Sequence, residues 1–266
     1  MRLLVAGGHR VDAGETTFTT GLLERLEAVG FKPRAGNDYW FDHDDYRSVI
    51  ADGRLYGKDA ARLAEASAST VSPEDLNPVH RLWRPSPGPD TGLVGRADRQ
   101  FVLDRVGSPY AVNAGANVPE SAARNLPLAD APEIGSVERL DEVTQRLHVP
   151  ALRAFADRIR DAEPAVVESY GDVAVPIRSL SFDAVAVVEP GRVRAYDGDR
   201  FLRACEVAGR SPREGRLEVH VPDATNLVEP EATVTLPPLP EADRRDPAAV
   251  AQAYGSAYDE LLAVAD

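Results

Sequence analysis

Apolar and polar positions recur along this chain with two different periods, and the order of those periods outlines a fold. The opening run Leu3-Leu4-Val5-Ala6 is continuously apolar and predicts a buried strand. From Glu15 to Val29 the apolar positions Phe18, Leu22, Leu23, Leu26 and Val29 return at helical spacing, with Gly30 as a stop. Phe31–Ala35 reads as a short extended run and Asp59–Ala68 as a helix. Arg99–Arg105 and Tyr110–Asn113 predict strands, separated by a loop-like Gly115–Pro132 from the helices Val137–Leu147 and Pro150–Arg160, or one helix broken at Pro150. Ala165–Glu168 and Phe182–Val188 read as buried strands with an extended Val173–Ile177 between them. Asp199–Ala208 reads as a helix, Leu217–Val221 and Thr233–Leu236 as strands. A proline-rich connector at about 237–247 precedes a last helix, Pro247–Val264. Strand runs alternating with helices predict an α/β fold, a mostly parallel sheet with helices on both faces, in a single domain over residues 1–266.

Between the first strand and the first helix lie Gly7, Gly8 and Gly14, followed by Glu15, Thr16 and Thr17. Strand, glycine-rich loop, helix is the layout of a phosphate-binding loop. Glycines let backbone N–H groups close around phosphate oxygens, and a helix start favours an anion. Gly8, Arg10, Asp12, Ala13, Gly14, Glu15, Thr16 and Thr17 are therefore the candidate cofactor-binding residues, with ATP or GTP as the expected ligand. Thr16 stands where such a loop places the hydroxyl that holds Mg²⁺. Glu15 stands where the loop lysine belongs, which puts a carboxylate against phosphate and removes a neutralising charge. An ordinary glycine turn of an α/β protein is the competing reading.

Charge narrows the partners. The net charge of −13 comes with no basic run, which argues against a nucleic-acid surface. Lysine occurs only as Lys32 and Lys58; arginine supplies the other basic residues. Low lysine with an acidic excess resembles proteins of salt-loving archaea, where at molar salt a Debye length of ~3 Å leaves such charges little repulsion. The alternative is a GC-rich genome, which also exchanges Lys for Arg but does not explain the acids. The single cysteine, Cys205, excludes an intrachain disulfide and reads as a buried thiol on an apolar helix face. No apolar run reaches the ~18 residues of a membrane span and no signal segment is visible, so a cytoplasmic protein without a membrane partner is expected. The five histidines lack H-x-x-x-H spacing and no G-x-S-x-G elbow occurs.

Four stretches, in order, resemble dethiobiotin synthetase. They are the loop Gly8–Thr16, with five residues between its glycines and Asp12 at an acidic position; Lys32-Pro33-Arg34-Ala35-Gly36; Leu76-Asn77-Pro78-Val79 with Pro85-Ser86-Pro87; and Val166-Val167-Glu168 running to Pro176. The chain is also similar to a group of archaeal proteins described as P-loop ATPases or GTPases. The resemblance covers about residues 1–180. It implies a P-loop NTPase-like fold, Mg²⁺ held by Thr16 and Glu168, and Lys32 at the phosphates or substrate. It implies ATPase-type or ATP-dependent ligase- or kinase-like activity on an unidentified small molecule, and a homodimer. Arg10 stands where related loops carry an extra lysine, so Lys32 and Arg10 are the candidate catalytic cations. Asp38, Asp42, Asp44 and Asp45 are candidates for a further Mg²⁺-facing acid, or simply acidic surface. Ser169-Tyr170 replaces the family's Gly-Ala and adds bulk, so biotin synthesis itself does not carry over. A protein that keeps the fold but has lost turnover, serving as a regulatory or assembly partner, is the second expectation.

Overall fold

The computed structural model describes residues 1–9, 13–86, 99–209 and 218–266. Its strands are β1 (Arg2–Gly7), β2 (Val29–Phe31), β3 (Arg34–Asp38), β4 (Val79–Pro85), β5 (Arg99–Val106), β6 (Tyr110–Asn113), β7 (Glu133–Ile134), β8 (Ala165–Glu168), β9 (Ala184–Glu189), β10 (Arg192–Asp197) and β11 (Ala232–Thr235). The chain divides into two compact units: Met1–Pro33, Arg62–Val71 and Ala156–Asp266 form the first, Arg34–Ala61 and Ser72–Phe155 the second. Each has its own sheet.

The first unit carries a six-stranded sheet in the order β11-β10-β9-β1-β8-β2. β2, β8, β1 and β9 run parallel, and β10 and β11 are added antiparallel. The architecture is α/β as expected, but both sheets are mixed. The turn at Glu189–Arg192 explains the antiparallel edge: Gly191 takes a positive φ of 79°, which closes a hairpin that the helical and apolar periods do not signal. β8 and β9 are buried along their whole length, and β1 is buried from Leu3 to Gly7, so both faces of the sheet centre are covered.

The first helix, α1, runs Glu15–Leu26 and stops where Glu27 takes a left-handed φ of 49°. Val29, expected on this helix, opens β2 instead. Phe18 is fully buried, worth ~2–3 kcal/mol by apolar transfer. Its ring lies 4.8 Å from that of Tyr258, whose hydroxyl donates to the Phe18 carbonyl at 2.9 Å. Gly21 makes this packing possible, since a Cβ there would stand 2.5 Å from the Tyr258 hydroxyl and 2.6 Å from Val250. The expected C-terminal helix is two, Pro247–Ala253 and Gly255–Ala265.

The second unit is a five-stranded sheet, β3-β4-β5-β6-β7, with parallel pairs at β3/β4 and β6/β7 and antiparallel pairs between. Tyr46, Ile50, Leu55, Leu82, Val102 and Leu103 form its larger core. The expected loop Gly115–Pro132 contains a short helix, Glu120–Asn125, and the proline-rich segment after Asn77 is β4. The helix Val137–Val143 continues through a π turn, Thr144–His148, into Val149–Asp161, so Pro150 does not break it. A π turn just before a proline offers a wider path for a residue that has no N–H and crowds the preceding turn. In the first unit, the strand expected at Leu217–Val221 is not formed among its described residues: His220 makes one bridge to Val173, and Val221 begins a helix. Leu217 itself lies outside the described residues, as does Pro87.

Candidate functional site

β1 and β8 are parallel neighbours with Val5 opposite Glu168, so their carboxyl ends lie side by side. Phosphate sites of open α/β sheets lie at such strand ends. The Glu168 carboxylate, 0% exposed, receives two donors on one oxygen. Thr16 Oγ1 donates to Glu168 Oε1 at 2.8 Å, and the Lys32 ammonium makes a short ion pair with the same oxygen. Glu168 Oε2 is buried and has no hydrogen-bond partner among the described residues. A buried carboxylate oxygen left this way costs on the order of 1–3 kcal/mol or more. Three residues picked out in the sequence from separate stretches, Thr16, Lys32 and Glu168, thus meet at one buried point.

The glycines divide into two groups. Gly7 and Gly8 are required by protein neighbours: a Cβ on Gly7 would stand 2.8 Å from the Gly171 carbonyl, and one on Gly8 would stand 2.5 Å from Glu189 Cγ. The Gly8 N–H donates to the Val188 carbonyl at 2.8 Å, so that amide continues the sheet. Burial would raise the Glu189 pKa, but its hydrogen bond to Arg192 and the charge of Arg194 hold it below the usual carboxylate range. Gly14 is different. It takes φ 90°, precedes α1, and among the described residues nothing stands closer to the position of a Cβ than Val188 at 4.0 Å. No side chain caps α1, and its first intrahelical bond is Phe18 N–H to the Gly14 carbonyl. The amides of Glu15, Thr16 and Thr17 therefore have no intrahelical acceptor. Ala13 is buried and Glu15 half-buried. Arg10 and Asp12 lie outside the described residues.

Arg62 is a residue that sequence reasoning passed over. Its Nη2 lies 3.3 Å from Thr17 Oγ1 and donates to the Arg244 carbonyl at 2.7 Å, with no carboxylate partner among the described residues. Its signal in the sequence is nil, because an arginine on a helix in an arginine-rich chain reads as surface. After β8, the Ser169 hydroxyl donates to the Val173 carbonyl at 2.6 Å, and the Tyr170 hydroxyl makes a short hydrogen bond to Glu218. Their bulk is engaged in bonds within this loop region.

The acidic cluster of the second unit has local work. Asp38 accepts from the Trp40 and Phe41 amides at 2.8 and 3.3 Å, Asp42 accepts from the Asp38 amide, and Asp42 and Asp45 lie 3.9 and 3.8 Å from Lys58. Asn77, part of the third stretch of resemblance, donates to the Val79 carbonyl, and its own carbonyl accepts from the buried Arg105 guanidinium. Among the described residues no group of three or more His, Cys, Asp or Glu gathers to hold a metal. Mg²⁺, which needs only one or two protein oxygens, fits the Thr16–Glu168 pair because Glu168 brings an unsatisfied hard donor. No helix of the described residues is long and apolar enough to cross a membrane. Compared with protein-family models and with curated proteins, the chain matches none.

Proposed function

We propose that the first unit binds a nucleoside triphosphate, ATP or GTP, with Mg²⁺ at the N-terminus of α1, in the manner of a P-loop protein. The observation that carries this reading is Glu168, wholly buried at the end of β8, bonded to Thr16 through one oxygen and unsatisfied at the other. Thr16 and Glu168 would hold the metal, which would neutralise phosphate charge. The left-handed turn at Gly14 presents the first amides of α1 to an anion, and Arg62 beside Thr17 supplies a cation in a loop whose lysine is Glu15. Lys32 is the second cation, held by Glu168 until a ligand competes for that carboxylate. Catalysis with these parts is positioning and electrostatics, and the activity proposed is ATPase-type, or ligase- or kinase-like transfer to a small molecule.

The test is calorimetric titration with ATP and with GTP, each with Mg²⁺, in molar KCl. Saturable binding that Thr16→Val weakens at least tenfold supports the reading. Failure of both nucleotides to bind the parent and Glu15→Lys overturns it. A second reading, a protein of this fold without turnover that serves as a regulatory or assembly partner, is favoured by Glu15 and by the Gly8 amide being committed to Val188. Nucleotide binding gained only in Glu15→Lys, with no hydrolysis by the parent, selects it.

A further inference from the structure

The second unit holds a half-open cavity of about 350 Å³ lined by Tyr39, Trp40, Arg84, Pro85, Asn117 and Pro119 among others. That volume suits a small ligand. Two features set it apart from ordinary surface. The first is its cation. Arg54, Arg81, Arg192 and Arg200 each pair with an acid, as the −13 net charge makes easy. Arg84 does not. Its one hydrogen bond among the described residues is a long contact of 3.4 Å to the Asn117 carbonyl, and none of their carboxylates pairs with it. The second feature is aromatic. Trp40 is 70% exposed, and Phe41 beside it 81%. They are not on a slack loop: Asp38 accepts both their amides, and the Asp38 amide in turn donates to Asp42 Oδ2 at 2.8 Å. Tyr39, the other aromatic of the wall, packs edge-on against His43 and Tyr46.

The geometry points to a binding site for a small aromatic carboxylate. Its ring would lie against Trp40 and Tyr39, and its carboxylate would take the two-pronged Arg84 guanidinium. A monoanion is specified because among the described residues the wall offers one cation and the neighbouring turn carries Asp38 and Asp42; a phosphate dianion would call for more positive charge. The site stands independently of the nucleotide reading, since every residue in it belongs to the second unit.

The test uses the full chain and 1-naphthoate, with 1-naphthamide as the uncharged counterpart and AMP as the aromatic phosphate. Binding is followed by calorimetry and by tryptophan emission. Saturable naphthoate binding is expected, with an emission change that Trp40→Phe abolishes. Arg84→Gln should weaken naphthoate at least tenfold while leaving naphthamide within twofold, and Trp40→Ala should weaken both. The proposal is overturned by absence of saturable naphthoate binding, by equal affinity in Arg84→Gln, or by AMP binding more tightly than naphthoate. Should Arg84→Gln lose its far-UV spectrum, Arg84→Lys decides: retained charge without the planar fork must still weaken naphthoate more than naphthamide.

Discussion

Each unit buries a carboxylate with a cation, and the two clusters are finished to different degrees. In the second unit both oxygens of Asp104 are used. Arg81 donates to them through Nε and Nη2 at 2.6 Å each, and His148 Nε2 lies 2.8 Å from Oδ2. The Arg81 guanidinium also covers the Phe101 ring at 4.5 Å. In the first unit Thr16 and Lys32 crowd one oxygen of Glu168, and the other has no partner among the described residues. A carboxylate with both oxygens bonded is a strut between β4, β5 and the π turn. A carboxylate that is buried and half-bonded is the observation on which the proposed metal site rests. The pairing of charges is alike in both; the second carboxylate oxygen is bonded in one and, among the described residues, not in the other.

That contrast is easiest to break at the finished cluster. Asp104→Ala leaves the Arg81 charge partly buried without its acid, and should destabilise the protein by about 3–5 kcal/mol in a denaturant titration. Mg²⁺ and nucleotide should not reduce that loss. If the Glu168 cluster were equally structural, Glu168→Ala would behave the same way; if Glu168 instead holds a metal, part of its effect is loss of Mg²⁺-dependent stabilisation.

Acid sharpens the comparison next. Burial alone would raise the Asp104 pKa, but the charge and hydrogen bonds of Arg81, helped by His148, hold it at about 2, against an ordinary 3.8. A depressed carboxylate contributes its stability in full above the unfolded value and loses it as pH falls through the folded one. About 2 kcal/mol should therefore disappear between pH ~4 and ~2. The difference in unfolding free energy between the parent and Asp104→Asn, followed across that window, should shrink toward acid; a constant difference would contradict it.

Two smaller effects concern the half-bonded cluster. Thr16→Val removes one donor from Glu168 and should cost about 1 kcal/mol of stability; the proposed function expects a far larger effect on Mg²⁺–nucleotide affinity. Gly14→Ala forces a side chain into a φ of 90° and should cost about 1 kcal/mol, although no described residue crowds it. The smallest effect is kinetic. Burial pushes the Cys205 thiol up to about 12, so iodoacetamide at pH 8 should label it only as the protein unfolds.

Elements whose pattern is local were legible. Tyr110–Asn113 and Ala165–Glu168 are strands with the expected bounds, and α1 starts at Glu15. β10 was missed, because Arg192–Asp197 alternates charged and apolar residues at a sheet flank instead of forming an apolar run. The helix Glu120–Asn125 was missed because its small and polar residues, ESAARN, show no apolar face.

What the sequence alone determined is the list of chemical parts: a glycine turn before a threonine-rich helix start, a rare lysine, and an acid ending an apolar strand. Only the tertiary structure decided which of these meet. Thr16 and Glu168 are 152 residues apart, and Lys32 and Glu168 are 136 apart. Their convergence depends on β8 inserting between β1 and β2, a parallel pairing that no local pattern encodes. The strands on either side of β1, β8 and β9, revealed that Gly7 and Gly8 serve their own neighbours, leaving Gly14 as the loop glycine with no close neighbour among the described residues. Periodicity reports how each segment meets water; which segments become neighbours is fixed by burial summed over the whole chain.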